Sequence, residues 1–251
     1  MRALASDPEL VCRMEAHAVD AWPATVTERV DGGWVLRATP GLDRGRSNHA
    51  LPPCRALSEA EIPAAIDRVE AFARRQRIHA GIQVSPLMLH GPLMSELDQR
   101  GWGTRWPVLV LAGSTASAGP PPTGLALTVA DHATPEWLST WARCEPGRDV
   151  EAHARTVFPL LAGRATFARS GDAAVGIGVE SDGLVGLFCL AVDPARRRAG
   201  LGTALVRTLL AASRASVAYL QVEESNGPAV ALYTRLGFAE AYRYCHRIAP
   251  A

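Results

Sequence analysis

The 251-residue chain contains no lysine. Its 26 basic residues are therefore all arginine, and against 25 acidic residues they give a formal net charge of +1. Binding to nucleic acid or to a membrane surface normally needs a concentrated excess of cations. The charge balance therefore predicts neither partner. The missing lysine also argues against a nucleotide-binding loop of the G-x-x-x-x-G-K-[ST] type.

Cysteine is scarce, and its spacing carries no signature. The five cysteines are odd in number, far apart and without a C-x-x-C pair: Cys12, Cys54, Cys144, Cys189 and Cys245. This pattern favours neither a disulfide framework nor a zinc site. We expect thiols in the core and no metal.

Long apolar runs are also missing. No stretch reaches the roughly 20 apolar residues that a membrane-spanning helix needs. The first 22 residues carry acidic side chains in an amphipathic pattern, where a signal peptide would need an uninterrupted apolar region. We expect a cytoplasmic protein.

Two segments of the chain resemble each other. His90–Trp102 reads "HGPLMSELDQRGW" and Asn226–Phe238 reads "NGPAVALYTRLGF", with their Gly-Pro and Gly-aromatic pairs at one offset (227 − 91 and 237 − 101 are both 136). Upstream, "IQV" at Ile82–Val84 resembles "LQV" at Leu220–Val222, although the first copy has two extra residues before its Gly-Pro. The chain therefore looks like two related halves.

A proline-rich stretch separates these halves. Residues 114–123 read "STASAGPPPT", which is the one segment with linker composition. We predict one domain over 1–113 and a second over 124–251.

Hydrophobic periodicity and turn residues predict an α/β chain throughout. In the first half they predict helices over 8–21, 58–76 and 92–100, a hairpin around Asp31-Gly32-Gly33, and strands over 79–84 and 108–112. In the second half they predict strands over 125–130, 164–170, 173–180, 184–192, 217–223 and from 238, and helices within 134–144, 149–162, 200–213 and 228–236.

The segment Leu190–Leu205, "LAVDPARRRAGLGTAL", joins a predicted strand to a predicted helix. Gly200 and Gly202 lack a Cβ, so amide groups at the helix start can turn towards an anion. The helix dipole and the neighbouring arginines favour negative charge at the same place. Such a nest suits a pyrophosphate.

Here the residues resemble the GNAT superfamily of acyl-CoA-dependent N-acyltransferases. The superfamily signature R/Q-x-x-G-x-G/A is met by Arg197 to Gly202, after a "V-D-P" that is also usual there. A downstream N-x-x-A-x-x-x-Y-x-x-x-G-F pattern is met from Asn226 to Phe238. The resemblance covers about Leu125 to Ile248. It implies a mixed, mainly antiparallel central sheet flanked by helices, present here as two tandem halves.

The resemblance also implies an acetyl-CoA site and a role for each part of it. The amides of Arg198 to Thr203 would hold the pyrophosphate, the strand end would pair with the pantetheine arm, and Asn226 would steady that arm. Tyr233 would donate a proton to the departing thiolate. The full set for acetyl-CoA is Leu190, Ala191, Val192, Arg197, Arg198, Ala199, Gly200, Leu201, Gly202, Thr203, Asn226, Ala229 and Tyr233.

The acceptor must be an amine that has lost its proton before it attacks the thioester. A carboxylate, acting directly or through water, is the usual base. Glu223, Glu224 and Glu180 lie near predicted strand ends, and we favour Glu223. Cys189 lies on the central strand, but direct transfer needs no acyl-cysteine.

The first half looks like a decayed copy of the same fold. Leu97 replaces Tyr233 and His90 replaces Asn226, and residues 46–80 contain no glycine where the pyrophosphate loop should lie. We expect no CoA binding there. "GRSNHALPP" over 45–53 resembles an R-x-N-S-x-x-P segment of two-part acetyltransferases with a degenerate first domain, with histidine replacing the serine. This half would serve the acceptor side or the structure.

Two functions stay open at this point. The first is an enzyme that moves an acetyl group from acetyl-CoA to a primary amine of a peptide or small molecule. The second is a binding module that holds acyl-CoA without transferring it. The sequence predicts no oligomeric state and no preferred acyl length.

Overall fold

The computed structural model describes residues 7–85, 91–147 and 149–250. Eight α-helices lie in these ranges: α1 Pro8–Ala21, α2 Gly45–Asn48, α3 Ile62–Gln76, α4 Gly91–Gln99, α5 Pro135–Cys144, α6 Val150–Thr156, α7 Leu201–Ala211 and α8 Gly227–Arg235. Ten strands lie there as well: β1 Val26–Val30, β2 Trp34–Ala38, β3 Gly81–Val84, β4 Gly103–Ser114, β5 Thr128–Ala130, β6 Ala165–Ser170, β7 Ala174–Ser181, β8 Leu184–Val192, β9 Val217–Glu223 and β10 Ala239–Ile248. None of these helices is long and apolar enough to cross a membrane.

The first helix shows how closely the local pattern sets an element. The Asp7 side chain accepts a hydrogen bond from the Glu9 amide and so caps α1, and Pro8 occupies its first turn. Leu10, Met14 and the other apolar residues of one face are buried. The observed bounds agree with the predicted helix over 8–21.

Eight strands form one sheet in the order β3-β10-β4-β9-β8-β7-β6-β5. Every neighbouring pair is antiparallel except β8 and β9, which run parallel. Helices pack on the sheet, with α7 against β6, β7 and β8 and α1 against β7 and β8. The predicted mixed, mainly antiparallel sheet is therefore confirmed.

The two halves exchange their last strands. Strand β4 of the first half lies between β9 and β10, and β10 of the second half lies between β3 and β4. In the central pair Ala239 faces Ala112 and Ile248 faces Gly103. By the repeat offset of 136, Gly103 corresponds to residue 239 and Ala112 corresponds to residue 248. Exchanging the two halves therefore converts each of these residue pairs into the other. The register thus has the two-fold symmetry expected of a duplicated chain.

The flanking pairs obey the same symmetry. Val222 faces Leu109 in β9 and β4, and Val84 faces Cys245 in β3 and β10. Leu109 and Cys245 differ by 136, whereas Val84 and Val222 differ by 138. The two extra residues seen in the sequence therefore lie after β3, in a segment that includes 86–90, outside the described residues.

The predicted linker is anchored to the second half. Residues 115–118 form a short 3₁₀ turn in which the Thr115 amide donates to the Ser216 carbonyl and Ala118 is buried. Arg207 Nε also donates to the Ala118 carbonyl at 2.6 Å. The sheet and these contacts join residues on both sides of the segment 114–123, so the two halves form one structure. The predicted domain boundary at this segment therefore stays a prediction.

Several predicted elements have different bounds. The strand predicted over 125–130 is observed only as Thr128–Ala130, and the helix predicted within 149–162 is observed as Val150–Thr156 followed by a 3₁₀ turn over Phe158–Leu161. The helix predicted over 58–76 begins at Ile62, since Glu61 turns back to accept hydrogen bonds from Ser58. The strand predicted over 108–112 runs from Gly103 to Ser114. Residues 103–107 are exposed, so they carry no apolar pattern, but this end of the strand pairs with β10.

The expectation that all cysteines are thiols is wrong for two of them. Cys12 of α1 and Cys54 form a disulfide, with their Cα atoms 5.7 Å apart. Their sequence separation of 42 gives no local signal, because the fold alone brings α1 against this loop. Cys144 is buried and Cys189 and Cys245 are half-buried, and none of these three forms a disulfide among the described residues.

Candidate active site

The site is centred where the two parallel strands separate. Strands β8 and β9 pair from Leu184 and Val217 as far as Leu187 and Leu220. Beyond that point β8 stays with β7 and β9 stays with β4. A bulge marks the separation, since Cys189 has a φ of +50° and the β7–β8 register shifts beside it. The cleft edge of β8 therefore has no strand partner in the described part of the chain.

Two adjoining cavities occupy this cleft. The first, of about 370 Å³, is lined by Trp22, Arg44, Arg46, Glu145, Leu187, Phe188, Cys189, Leu190, Leu220, Gln221, Val222, Glu223, Asn226, Ala229 and Tyr233. The second, of about 490 Å³, is lined by Cys144, Glu145, Leu190, Ala191, Val192, Arg197, Arg198, Gly200, Leu201, Gly202, Thr203, Leu205, Val206, Asn226, Pro228, Ala229, Leu232, Tyr233 and Arg235. They are called the acceptor cavity and the donor cavity below, after the roles that the GNAT resemblance implies for Glu223 and for the loop Arg197–Thr203. Tyr233 lines both cavities.

The donor cavity contains an open helix start. After β8, Asp193 accepts from the Ala195 amide and closes a short 3₁₀ turn. Arg198 and Gly200 then adopt left-handed conformations, with φ of +66° and +79°, and α7 begins without a side-chain cap. The first amides of α7 are therefore left for a ligand, and the helix dipole makes this end favourable for an anion.

Close packing of two helices depends on Gly202. A Cβ added there would lie 3.0 Å from Cδ2 of Leu232 on α8. The glycine therefore lets α7 approach α8 and narrows the donor cavity. Of the predicted acetyl-CoA residues, Ala199 alone does not line this cavity. Arg235 of α8 lines it and was not predicted, because nothing in its own segment marks it.

Tyr233 is held by α8 on the wall shared by the two cavities. Asn226 caps this helix by accepting from the Ala229 amide at 3.2 Å, which leaves the amide nitrogen of its side chain available to the cleft. Tyr233 is 7% exposed, and burial raises its pKa to about 12. The phenol therefore keeps its proton at neutral pH and can serve as a proton donor.

The structure separates the three candidate carboxylates. Glu223 is exposed and lines the acceptor cavity. Glu224 is paired with Arg243 on the surface. Glu180 accepts from Ser213 Oγ at 2.6 Å and from the Arg214 amide at 3.0 Å. Because Glu180 faces Val185 near the start of β8, it lies at the wrong end of the sheet to serve the cleft.

Residues 11–247 match the protein family described as "Probable histone acetyltransferase Rv0428c C-terminal". The chain belongs to this family. As the sequence motifs predict, it is a member of the GNAT superfamily, and its family is one of acetyltransferases.

Solved structures show the same fold at low sequence identity. A GCN5-related N-acetyltransferase from Kribbella flavida has a TM-score of 0.70 and 17% identity, with 100% of this chain and 97% of that chain covered. A tandem GNAT protein from the clavulanic acid biosynthesis pathway has a TM-score of 0.66 and 16% identity, covering 99% and 94%. The GNAT fold therefore extends over the whole chain.

One curated relative is similar over a short stretch. The ribosomal protein bS18-alanine N-acetyltransferase of Escherichia coli is 47% identical over 58 residues, or 22% of this chain. The chain spans 39% of the length of that relative. This is a local likeness within the GNAT superfamily.

The first half of this GNAT chain reaches the acceptor cavity. Trp22, Arg44 and Arg46 line it together with residues of the second half. The Arg46 guanidinium lies 5.5 Å from the Phe188 ring, and that of Arg44 lies 5.8 Å from the Trp22 ring. Neither arginine was predicted from the sequence to be a site residue, although Arg46 lies in the segment 45–53 that resembles part of two-part acetyltransferases.

Glu145 was also missed. It lines both cavities and accepts from Trp141 Nε1 at 2.8 Å. Its segment, "EPGRD", reads as a helix breaker, so only the fold shows that it borders the cleft. Among the described residues, no group of histidine, cysteine, aspartate or glutamate could hold a metal ion.

The corresponding cleft of the first half is filled. Here Ile82 of β3 forms a β-bridge with Ala50, and a Cβ added at Gly81 would lie 2.3 Å from the His49 ring. Leu97, at the position of Tyr233, is fully buried in the apolar core. Pro63 occupies the first turn of α3 and removes one amide from that helix start. The replacement of Asn226 by His90 lies outside the described residues.

Proposed function

We propose that this chain transfers an acetyl group from acetyl-CoA to a primary amine of a peptide or small molecule, by direct attack in a ternary complex. The observation that carries the proposal is the position of Tyr233. A buried, protonated phenol stands on the wall between a cavity with an open helix start and a cavity with the carboxylate of Glu223.

The donor cavity fits the features of acetyl-CoA. The uncapped amides of α7 suit a pyrophosphate, and Arg197, Arg198 and Arg235 line the same cavity with guanidinium groups that can fork phosphate oxygens. The unpaired cleft edge of β8 offers backbone hydrogen bonds to an amide-bearing arm. Acetyl-CoA would supply an acyl group already activated as a thioester.

The protein's own groups then have to move three protons. Glu223, directly or through water, takes the proton of the ammonium form, which frees the nitrogen lone pair. The nitrogen forms a bond to the thioester carbonyl carbon, and as the carbon–sulfur bond breaks Tyr233 donates its proton to the departing sulfur. The nitrogen then loses its second proton, directly or through water, to the tyrosinate, which restores the phenol and leaves a neutral amide. No acyl-enzyme is needed, so Cys189 has no required role.

A peptide α-amine is one acceptor within this class. The bS18-alanine N-acetyltransferase acts, by its name, on an alanine of a ribosomal protein. Its local likeness to this chain supports including peptide amino termini in the acceptor screen. The inactive acyl-CoA-binding module is the second candidate, favoured only if binding occurs without transfer.

Incubation of the purified chain with acetyl-CoA and a mixed set of peptides and small amines tests the proposal. Acetylated products found by mass spectrometry, with matching release of free thiol, are expected. Binding of acetyl-CoA with no product from any amine would leave the binding module instead.

A further inference from the structure

The acceptor cavity carries cationic donors at one side and a carboxylate at the other. Building on the proposed function, we infer that the acceptor amine also carries a carboxylate, which binds Arg46 and Gln221. This assigns the first half a direct part in substrate choice.

Arg46 is a half-buried cation without an ionic partner. It forms no salt bridge within the described ranges, and its one hydrogen bond there is to the Tyr244 hydroxyl, 3.4 Å from Nη2. Glu15 influences it electrostatically but forms no salt bridge with it, and the Glu15 oxygens accept from Tyr242 at 2.6 Å and from Gln83 at 2.7 Å. The planar guanidinium therefore keeps donors for an anion, and its geometry matches a carboxylate.

Gln221 has a donor that nothing satisfies. Its Oε1 accepts from the Tyr244 hydroxyl at 2.8 Å, whereas Nε2 is buried and has no hydrogen-bond partner in the part of the chain that is described. Because Arg46 can only donate to the Tyr244 oxygen, the tyrosine proton is left for Gln221, and this fixes the amide orientation. A buried donor without a partner is costly, so a ligand oxygen at Nε2 is favoured.

The opposite end of the cavity is suited to the amine. Gln221 and Glu223 point to the same face of β9, about 6–7 Å apart along the strand. Arg44 and Glu145 also line the cavity. Because their charges are opposite, together they do not change the net charge of its lining. A carboxylate at Arg46 and an ammonium at Glu223 therefore complement the cavity, whereas a simple alkylamine would leave the donors unsatisfied.

Binding of product analogues tests this inference without relying on turnover. With CoA present, calorimetry would compare N-acetylated ω-amino carboxylates, from glycine to aminohexanoate, with the matching N-acetylated amides. We expect at least one carboxylate to bind about tenfold more tightly than its amide. Arg46→Gln should abolish the difference, and Arg46→Lys should restore part of it. Arg105→Gln, an exposed arginine outside both cavities, should keep it.

Equal binding of carboxylates and amides along the series, or no binding of either, would overturn the inference. So would a preference that survives in Arg46→Gln. The proposed function fails in a different way, namely if acetyl-CoA does not bind or if no amine is acetylated, and those results are read in separate assays.

Discussion

Tyr233 is the residue on which the proposed chemistry depends most. Its phenol is buried and protonated where the two cavities meet. We predict that Tyr233→Phe lowers kcat by about a hundredfold, as expected for the loss of a general acid. Steady-state kinetics should show this loss while the Kd for acetyl-CoA stays nearly constant. An unchanged kcat would remove the assignment. Because the pKa is about 12, no alkaline fall in rate from this group is expected near pH 9.

The proposed role of Glu223 as the base can be tested by comparing it with the neighbouring Glu224. Glu223→Gln should reduce kcat/KM strongly at neutral pH and less at high pH, where more of the amine is already deprotonated. Glu224→Gln is the matched control, since Glu224 lies one residue away but pairs with Arg243 outside the cavity. Equal losses in both variants would show that strand-end charge, and not a base in the cavity, sets the rate.

Among single residues, the sequence predicts a role only for those that lie in a continuous motif. The loop from Arg197 to Thr203, together with Asn226 and Tyr233, could be proposed as site residues because they occupy fixed positions in two GNAT-like motifs. Arg46 and Glu145 could not, because they reach the cleft from distant segments and nothing local marks them. Glu180 was a wrong candidate for the same reason, since strand direction decides which end of a strand meets the cleft.

The element that we propose to bind the donor is the turn into α7, and its left-handed glycine can be tested against another. Gly200 and Gly183 have φ of +79° and +74°, and a Cβ at either would meet nothing within 4 Å. Alanine at each should cost about 1 kcal/mol of unfolding free energy. Only Gly200→Ala should weaken acetyl-CoA binding, by about tenfold, because only that turn aims amides at the ligand. Similar Kd values for the two variants would contradict the assignment.

Periodicity and turn residues predict most elements. Local sequence is enough to predict α1, the three consecutive antiparallel strands β6, β7 and β8, and β9. The pairing partners of β4 and β10 do not follow from that information. Exposed residues 103–107 carry no apolar pattern, and their hydrogen bonds come from a strand more than 130 residues away. Strand exchange is therefore visible only in the assembled sheet, where its register follows the repeat offset of 136.

The whole molecule depends on the exchanged strands. Separately expressed residues 1–113 and 124–251 should each fail to fold cooperatively, because β4 and β10 would each lose both of their neighbouring strands, which belong to the other half. Circular dichroism and thermal melts would measure this. As a control, cleavage at a protease site inserted among Pro120–Pro122 of the intact chain should leave both halves associated. Independent, cooperative folding of either half would contradict the shared-sheet description.

Acid should destabilise the whole fold. Burial lowers the pKa of His17 to about 4 and of His49 to about 3, and it lowers that of His246 as well. These groups stay neutral when folded but bind protons below about pH 6.5 when unfolded, so stability falls as pH drops from there towards 4. Burial raises the pKa of Glu15, which acts in the opposite direction but as one group.

Urea unfolding at pH 7 and pH 5 would measure this effect, with each histidine contributing up to about 1.4 kcal/mol per pH unit. His17→Gln should make the dependence shallower. A midpoint that does not move between the two pH values would contradict the prediction.

We propose that one half of this duplicated chain keeps a donor site and that the other has lost it. Calorimetric titration with acetyl-CoA would measure the number of sites per chain. One site is expected, weakened in Gly200→Ala and retained in Gly183→Ala. Two sites would mean that the filled cleft of the first half still binds the donor, and no binding would contradict the assignment of the donor cavity itself.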